Sequence, residues 1–115
     1  FARIERRSVL RVLHVLPTDL TRGAQRYARA VADRANLVGG QNHELAVLFA
    51  GPRLTARAEH DLDVPSGWLR SAGFDTRAAR RLRALVRRSD PHVVVAHGAE
   101  AMKYAAFLPR SGPLV

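Results

Sequence analysis

Two junctions in the chain place residues capable of chemistry at the end of an apolar run. The run Val93–Ala96 stops at His97 and Gly98, just before an alanine-rich helical segment. A second apolar run, residues 9–16, is followed by a polar turn that leads to Gly23. In an open parallel α/β sheet, ligands bind in the crevice outside the carboxyl ends of the strands. The two junctions therefore predict one shared site, and His97 is the first candidate for a functional side chain.

The residue types at these junctions suit a phosphorylated ligand. Gly23 at the opening of a helix lets the backbone approach a ligand closely, and the N–H groups and dipole of a helix start favour phosphate. His97 adds a titratable side chain. The alternatives are that Gly23 serves only packing and that His97 is a hydrogen-bonded residue of the sheet's rim. His14, in the middle of the first strand, is predicted to be buried, hydrogen-bonded and structural.

Several common site types are excluded by their missing motifs. The sequence has no G-x-G-x-x-G after its first strand, no G-x-x-x-x-G-K-[ST], no H-E-x-x-H and no G-x-S-x-G. It has no cysteine, and His92 and His97 are five apart on one predicted strand and face opposite sides of it. A metal site is therefore not predicted. Asp61 and Asp63 lie in a predicted loop, where solvation explains their charge.

Composition bounds the class of protein. The chain has 115 residues, 47% of them apolar and 25% charged, which fits one α/β domain with a real core. It opens on Phe1 without a methionine and without a signal peptide, and no apolar run reaches the length of a membrane span. We therefore interpret it as part of a longer protein, and its lack of cysteine is compatible with the cytosol.

The net charge of +9 comes almost wholly from arginine, since Lys103 is the only lysine. An anionic partner such as nucleic acid, an acidic lipid surface or a phosphorylated ligand is one interpretation. The other is that a GC-rich genome favours arginine codons and that the arginines form a solvated helix face. Five of them fall on one side of a predicted helix, at positions 77, 80, 81, 87 and 88.

Apolar periodicity predicts alternating strands and helices. Strands are expected at 9–16, 44–50 and 92–97, with the beginning of another at 113–115. Helices are expected from residue 24 to a turn formed by Gly39-Gly40-Gln41-Asn42, from Asp75 to about 88, and at 99–108, with Thr21 and Asp75 as N-caps. Residues 51–66 are predicted to be a loop, and 67–74 either a short strand or more loop. The alternation predicts a Rossmann-like parallel sheet with flanking helices, in which Gly23 and Gly98 lie at one edge.

Three segments together resemble a known family. They are Val12-Leu13-His14-Val15-Leu16, Arg22-Gly23-Ala24-Gln25-Arg26-Tyr27 and the segment from Asp90 to Gly98. The chain resembles the N-terminal half of a GT-B glycosyltransferase of the retaining, glycogen-synthase-like and mannosyltransferase-like group, from about residue 9 to 115. Arg22 stands where the family usually has a first glycine, and Val95 stands where it often has a first histidine.

The resemblance implies an enzyme with two Rossmann-like domains facing across a cleft. The acceptor would bind mainly to this domain and the nucleotide-sugar donor mainly to a C-terminal domain absent from the chain, so that the 115 residues alone would be inactive. His97 would be catalytic, contacting the transferred sugar near its leaving group, while Arg22, Gly23 and Gly98 would bind substrate. No cofactor and no metal are implied. The location would be cytoplasmic, with peripheral association at the inner face of the membrane as a further possibility.

Two other functions remain open at this point. One is a non-catalytic anion- or nucleic-acid-binding α/β module, which the charge of +9 favours, although no recognised reader motif or set of stacking aromatics is present. The other is a glycosyltransferase relative that has lost activity, which the departure at Arg22 favours. Specific nucleic-acid binding is not expected.

Overall fold

A computed structural model describes residues 10–18, 23–51, 58–65, 67–108 and 114–115, and the side chains of 23–26 are not among them. The four strands are β1 (Leu10–Leu16), β2 (Gln41–Phe49), β3 (His60–Val64) and β4 (Val93–Ala96). The helices are α1 (Gly23–Val38), α2 (Trp68–Ser71), α3 (Thr76–Ser89) and α4 (Ala99–Ala105). The predicted N-cap Thr21 lies outside the described residues.

The strands form one parallel sheet in the order β3-β2-β1-β4. β1 pairs in parallel with both β2 and β4, and β2 pairs in parallel with β3. The expected parallel neighbours are therefore confirmed, with β1 between the other two predicted strands. Successive strands run outward from β1 to β3, and the order then reverses to β4. This is a Rossmann-like α/β arrangement, and its switch point lies between β1 and β4.

Helices cover both faces of the sheet. On one face, Ala28 and Ala32 of α1 pack against Leu16, Leu45 and Val47. On the other face, α3 and α4 bury a larger core whose helical members are Ala78, Leu82, Leu85, Ala101, Tyr104 and Ala105. Small alanines let α1 approach the sheet closely, and this is the face on which the even-numbered residues of β1 lie.

The structure corrects the prediction for residues 51–66, because His60–Val64 is a strand. β3 lies at the edge of the sheet, where one face meets solvent and polar residues are tolerated. Asp61 and Asp63 are exposed while Val64 is fully buried. The alternation of charged and apolar residues was therefore that of a half-buried strand.

The region 67–74 contains the short helix α2 rather than a strand. Arg70 of this helix makes two hydrogen bonds of 2.7 Å to the Glu100 carboxylate, in the first turn of α4. The Arg70 guanidinium also lies 4.2 Å from the centre of the Phe49 ring. These long-range contacts stabilise the turn, and they have no local signature in the sequence.

Three boundaries differ from those predicted. β2 begins at Gln41 because the turn is confined to Gly39 and Gly40, whose φ angles are +88° and +75°. The last helix ends at Ala105, and β4 spans 93–96. The expected strand at 113–115 is represented by a parallel bridge between Val94 and Leu114.

Asp75 is the N-cap of α3, as predicted. Its carboxylate accepts a hydrogen bond of 2.9 Å from the backbone N–H of Arg77, and its own backbone N–H donates to the Tyr104 hydroxyl. The arginine face of α3 is only partly solvated, because Arg77 also pairs with Asp75 at 3.0 Å and Arg81 donates to the Leu62 carbonyl at 2.6 Å. Arg77 thus reinforces the start of α3, and Arg81 joins α3 to β3.

Candidate functional site

His97 and Gly98 lie directly after β4, at the switch point of the sheet. We call the edge formed by the carboxyl ends of the strands the carboxyl edge. The His97 backbone N–H donates to the Val15 carbonyl at 3.0 Å, which holds the residue beside the end of β1. Gly98 has φ 95° and ψ 165°, a conformation that other residues avoid. Glycine at 98 therefore allows the sharp turn that leads from His97 into α4.

The second junction meets the first at the same edge. The Pro17 carbonyl accepts a hydrogen bond of 3.0 Å from Phe49, and α1 begins at Gly23. The helix start and the His97 turn thus follow neighbouring strands, as the sequence predicts. Arg22 lies outside the described residues, and a binding role for Arg22, Gly23 or Gly98 stays a prediction.

His97 is one end of a chain of side chains that the sequence analysis did not foresee. The Nε2 atom of His97 lies 2.9 Å from Nδ1 of His14, and Nε2 of His14 lies 2.8 Å from Nδ1 of His43. Nε2 of His43 lies 2.7 Å from Oε1 of Gln41. We call these four residues the histidine chain. It runs beneath α1 from the carboxyl edge to the beginning of β2.

Strand register explains why the three rings meet. His14 pairs with Val95 on one side and Leu45 on the other. Because side chains alternate, His43 and His97, each two residues from these partners, lie on the face of His14. Neighbouring rings have centroids 5.0 and 5.1 Å apart. The chain therefore follows from one alignment of three parallel strands.

The other end of the histidine chain is also held in place. The Asn36 side chain of α1 accepts a hydrogen bond of 2.8 Å from the backbone N–H of His43 and donates one of 3.0 Å to the backbone carbonyl of His43. His14 and His43 are buried, with 3% and 8% of their surface exposed. Gln41 is exposed. The chain thus connects an exposed amide, through two buried imidazoles, to the half-buried ring of His97.

Burial favours the uncharged imidazoles. It lowers the pKa of His14 to about 4, with the charges of His97, His43 and Arg29 acting in the same direction and that of Glu59 in the opposite one. Burial also lowers the pKa of His43 and of His97. All three rings are therefore neutral at pH 7, and each then has one donor and one acceptor nitrogen.

An ion pair lies beside the histidine chain. Arg29 of α1 is 8% exposed and contacts the Glu59 carboxylate at 3.1 Å. Glu59 also accepts a hydrogen bond of 2.9 Å from the backbone N–H of Leu45. Partial desolvation raises the pKa of Glu59, but this bond and the arginine outweigh it, so the pKa is lowered. The pair joins α1 to the segment before β3. Near His14, the negative charge of Glu59 partly compensates the positive charge of Arg29.

The geometry of the three histidines does not suit a metal ion. Their ring nitrogens point at one another rather than at a common point, so they cannot coordinate one ion together. Within the described part of the chain, no group of three or more histidine, aspartate or glutamate residues could hold a metal. His14 occupies Nε2 of His97, so Nδ1 is the ring nitrogen of His97 that the histidine chain does not use.

Sequence reasoning identified His14 as buried and hydrogen-bonded, which is confirmed, but missed its contact with His97. It missed His43 and Gln41 entirely. The alternation of side chains along β1 and β2 would have placed His43 beside His14 only if the register between the two strands were known. A shift of one residue would put His43 on the other face of the sheet. His92 was predicted to face the opposite side of the strand from His97. In the structure it precedes β4, and its Nδ1 accepts from the backbone N–H of Arg11 at the opposite edge of the sheet.

A cleft of about 240 Å³ lies at the opposite, amino edge of the sheet, far along the strands from His97. It is lined by Arg11, Val12, Leu13, Asn42, Glu44, Ser89 and Pro91. Its charged lining residues are engaged within the protein, because Arg11 bonds to Asp90 and Glu44 to His60, and the cleft lies away from the switch point of the sheet. We therefore keep the carboxyl edge as the candidate site.

No family model, curated protein or solved structure matches the chain. Among the described residues, no helix is both long and apolar enough to cross a membrane.

Proposed function

We propose that the chain is the N-terminal, acceptor-side domain of a nucleotide-sugar-dependent glycosyltransferase. The observation that supports this most is the position of His97, which follows β4 at the switch point and is held against β1 by its bond to Val15. In α/β folds this crevice is where ligands bind. The sequence resemblance supplies the reaction class, and the fold supplies a suitable place for it.

The chemistry of sugar transfer suits a neutral imidazole at this place. Positive charge develops on the sugar and negative charge on the departing diphosphate, so fixed hydrogen-bond donors stabilise the transition state. In this proposal His97 contacts the sugar near its leaving group through Nδ1. Backbone N–H groups at the start of α1, near Gly23, add a second favourable environment for phosphate.

The proposal includes partners beyond this chain. The nucleotide sugar is a substrate, bound mainly by a second domain, and no cofactor or metal takes part. Arg22 and Gly98 would complete the binding surface around Gly23. The enzyme would work in the cytoplasm or at the inner face of the membrane, where the net charge of +9 on this chain would favour anionic surfaces.

The second candidate is an anion- or nucleic-acid-binding module. The exposed arginines of α3 favour it: Arg80, Arg83, Arg87 and Arg88. We rank it lower because Arg77 and Arg81 of the same helix form bonds within the protein.

The test is sugar transfer by the protein that the whole gene encodes. We would incubate it with radiolabelled nucleotide sugars and cell extracts as the source of acceptor, and follow label in product. We expect transfer from one class of nucleotide sugar, and none from the 115-residue chain alone, because it lacks a donor-binding half. Turnover by the short chain, or no transfer by the whole protein, would overturn the proposal.

A further inference from the structure

We propose that the histidine chain is a proton relay in which Gln41, His43 and His14 determine which ring nitrogen of His97 carries the proton. The three are positioning residues, since both ring nitrogens of His14 and of His43 are used within the chain, whereas His97 keeps one that the chain does not use. The inference concerns the protonation of His97 itself, so it does not depend on glycosyl transfer.

The connectivity permits two neutral arrangements. In the first, every ring carries its proton on Nε2. His97 then donates to His14, and His14 donates to His43. His43 donates to the Gln41 amide oxygen, and Nδ1 of His97 is left as a hydrogen-bond acceptor.

In the second arrangement, every ring carries its proton on Nδ1, and all the hydrogen bonds of the chain run in reverse. The Gln41 amide then donates through its N–H to His43, because an amide can turn either its oxygen or its nitrogen to a partner. Nδ1 of His97 becomes a neutral donor. The two arrangements therefore present opposite hydrogen-bonding characters to a ligand.

Conversion between them is balanced in protons. A proton that arrives on Nδ1 of His97 is matched by transfer of the Nε2 proton of His97 to Nδ1 of His14. The Nε2 proton of His14 passes to Nδ1 of His43, and the Nε2 proton of His43 leaves to water beside exposed Gln41. One proton enters and one leaves, so no ring keeps a charge.

The surroundings of His14 disfavour a resting imidazolium there. The charged and titratable groups that face it are His43 from β2, His97 after β4, Arg29 from α1 and Glu59 before β3. Arg29 and the two histidines oppose a positive charge on His14, and Glu59 is already paired with Arg29. Neutral tautomers, rather than charged states, are thus the states that the chain exchanges.

The experiment uses exposed Gln41, which is separated from His97 by two rings. Glutamate at 41 can only accept a hydrogen bond from His43, and lysine can only donate one. We would measure the ring ¹⁵N chemical shifts of ¹⁵N-histidine-labelled protein for Gln41→Glu and Gln41→Lys. The matched controls are Asn42→Asp and Asn42→Lys, since Asn42 is equally exposed but lies on the opposite face of β2.

We expect Gln41→Glu to favour Nε2–H on His97 and Gln41→Lys to favour Nδ1–H. The ratio of the two tautomers should differ between these variants by roughly fivefold or more, because charge-assisted hydrogen bonds are stronger than neutral ones. The Asn42 variants should leave the ratio as in the wild type. In a His14→Phe background, the Gln41 variants should no longer affect His97.

Equal tautomer ratios in the two Gln41 variants would overturn the relay. So would an equal response to the Asn42 variants, which would indicate a through-space effect of charge, or a response that survives His14→Phe. If His14→Phe does not fold, the comparison of positions 41 and 42 decides the question by itself.

Discussion

The Nδ1 atom of His14 lies 2.9 Å from the Nε2 atom of His97, so the central histidine of β1 is the direct partner of the candidate catalytic residue. Because of this contact, a His14 variant is not an independent control for a His97 variant. Substitution of His14 alters both the core and the hydrogen bonding of His97. His92, exposed and at the opposite edge of the sheet, is the better control for a histidine substitution.

The stability of the protein is expected to fall as the pH is lowered from 6.5 to 4. Unfolded His14 takes up a proton near its ordinary pKa of 6.5, whereas the folded protein resists until about 4, so protonation favours unfolding in this window. The loss is about 3 kcal/mol, from about 1.4 kcal/mol per pKa unit. Urea titrations at pH 7.0, 5.5 and 4.5 measure it.

The pH range of the loss distinguishes the contribution of the histidines to stability from that of the carboxylates. Glu59 and Glu100 have lowered pKa values, so the stability that they contribute is retained above the ordinary value of 4.5 and lost below it. Between pH 6.5 and 4.5 the loss therefore belongs to the histidine chain. A free energy of unfolding that stays constant over this range would show that His14 is not buried neutral.

The architecture could be predicted from the sequence because apolar periodicity is strong in three of the strands and in the helices that pack on them. The three predicted parallel strands, the N-cap at Asp75 and the placing of two strand ends at one edge of the sheet all follow from local patterns. β3 was missed because its charged residues Asp61 and Asp63 suit an exposed edge, and only pairing with β2 reveals the strand.

The candidate site could be predicted only in part, because one of its residues has a local sequence signal and the others do not. His97 was found because its position at the end of an apolar run is a local property. His43 is 54 residues away in the chain, and its contact with His14 depends on the register between β1 and β2. Register is fixed by the whole sheet, so a single sequence does not display it.

Replacement of Asp75 by alanine is expected to destabilise the protein by about 1–2 kcal/mol, through loss of the N-cap of α3. Asp75→Asn should cost less, because asparagine is a comparable N-cap although it loses the charge that pairs with Arg77. Urea unfolding of both variants provides the measurement. Equal costs would indicate that the ion pair, rather than the cap, stabilises the start of the helix.

Gly98→Ala is expected to cost about 1–3 kcal/mol, since its φ of +95° is strained for any residue with a Cβ. No atom of the residues that the structure describes lies within 4 Å of the position of an added Cβ, so the cost is conformational. Gly51→Ala is the matched control, because Gly51 is equally open and needs no positive φ. Thermal unfolding of the pair gives the comparison, and similar midpoints would contradict the account of the turn.

Nucleic acid should bind weakly and without sequence preference. If the exposed arginines of α3 offer only a solvated positive surface, we expect a Kd of about 10⁻⁴ to 10⁻⁶ M at physiological salt, with a steep salt dependence. Fluorescence anisotropy with labelled DNA and RNA of several sequences measures this. Sequence-dependent affinity below about 10⁻⁸ M would favour the binding module instead.

The most direct test of the central claim is kcat/KM of the protein that the whole gene encodes, carrying His97→Ala and measured beside His92→Ala on the nucleotide sugar that the transfer assay identifies. If His97 contacts the sugar near its leaving group, its variant should lose about 10- to 1,000-fold. The His92 variant, altered at the opposite edge, should stay within about twofold. Equal activity of the two folded variants would show that His97 is a structural residue of the sheet's rim.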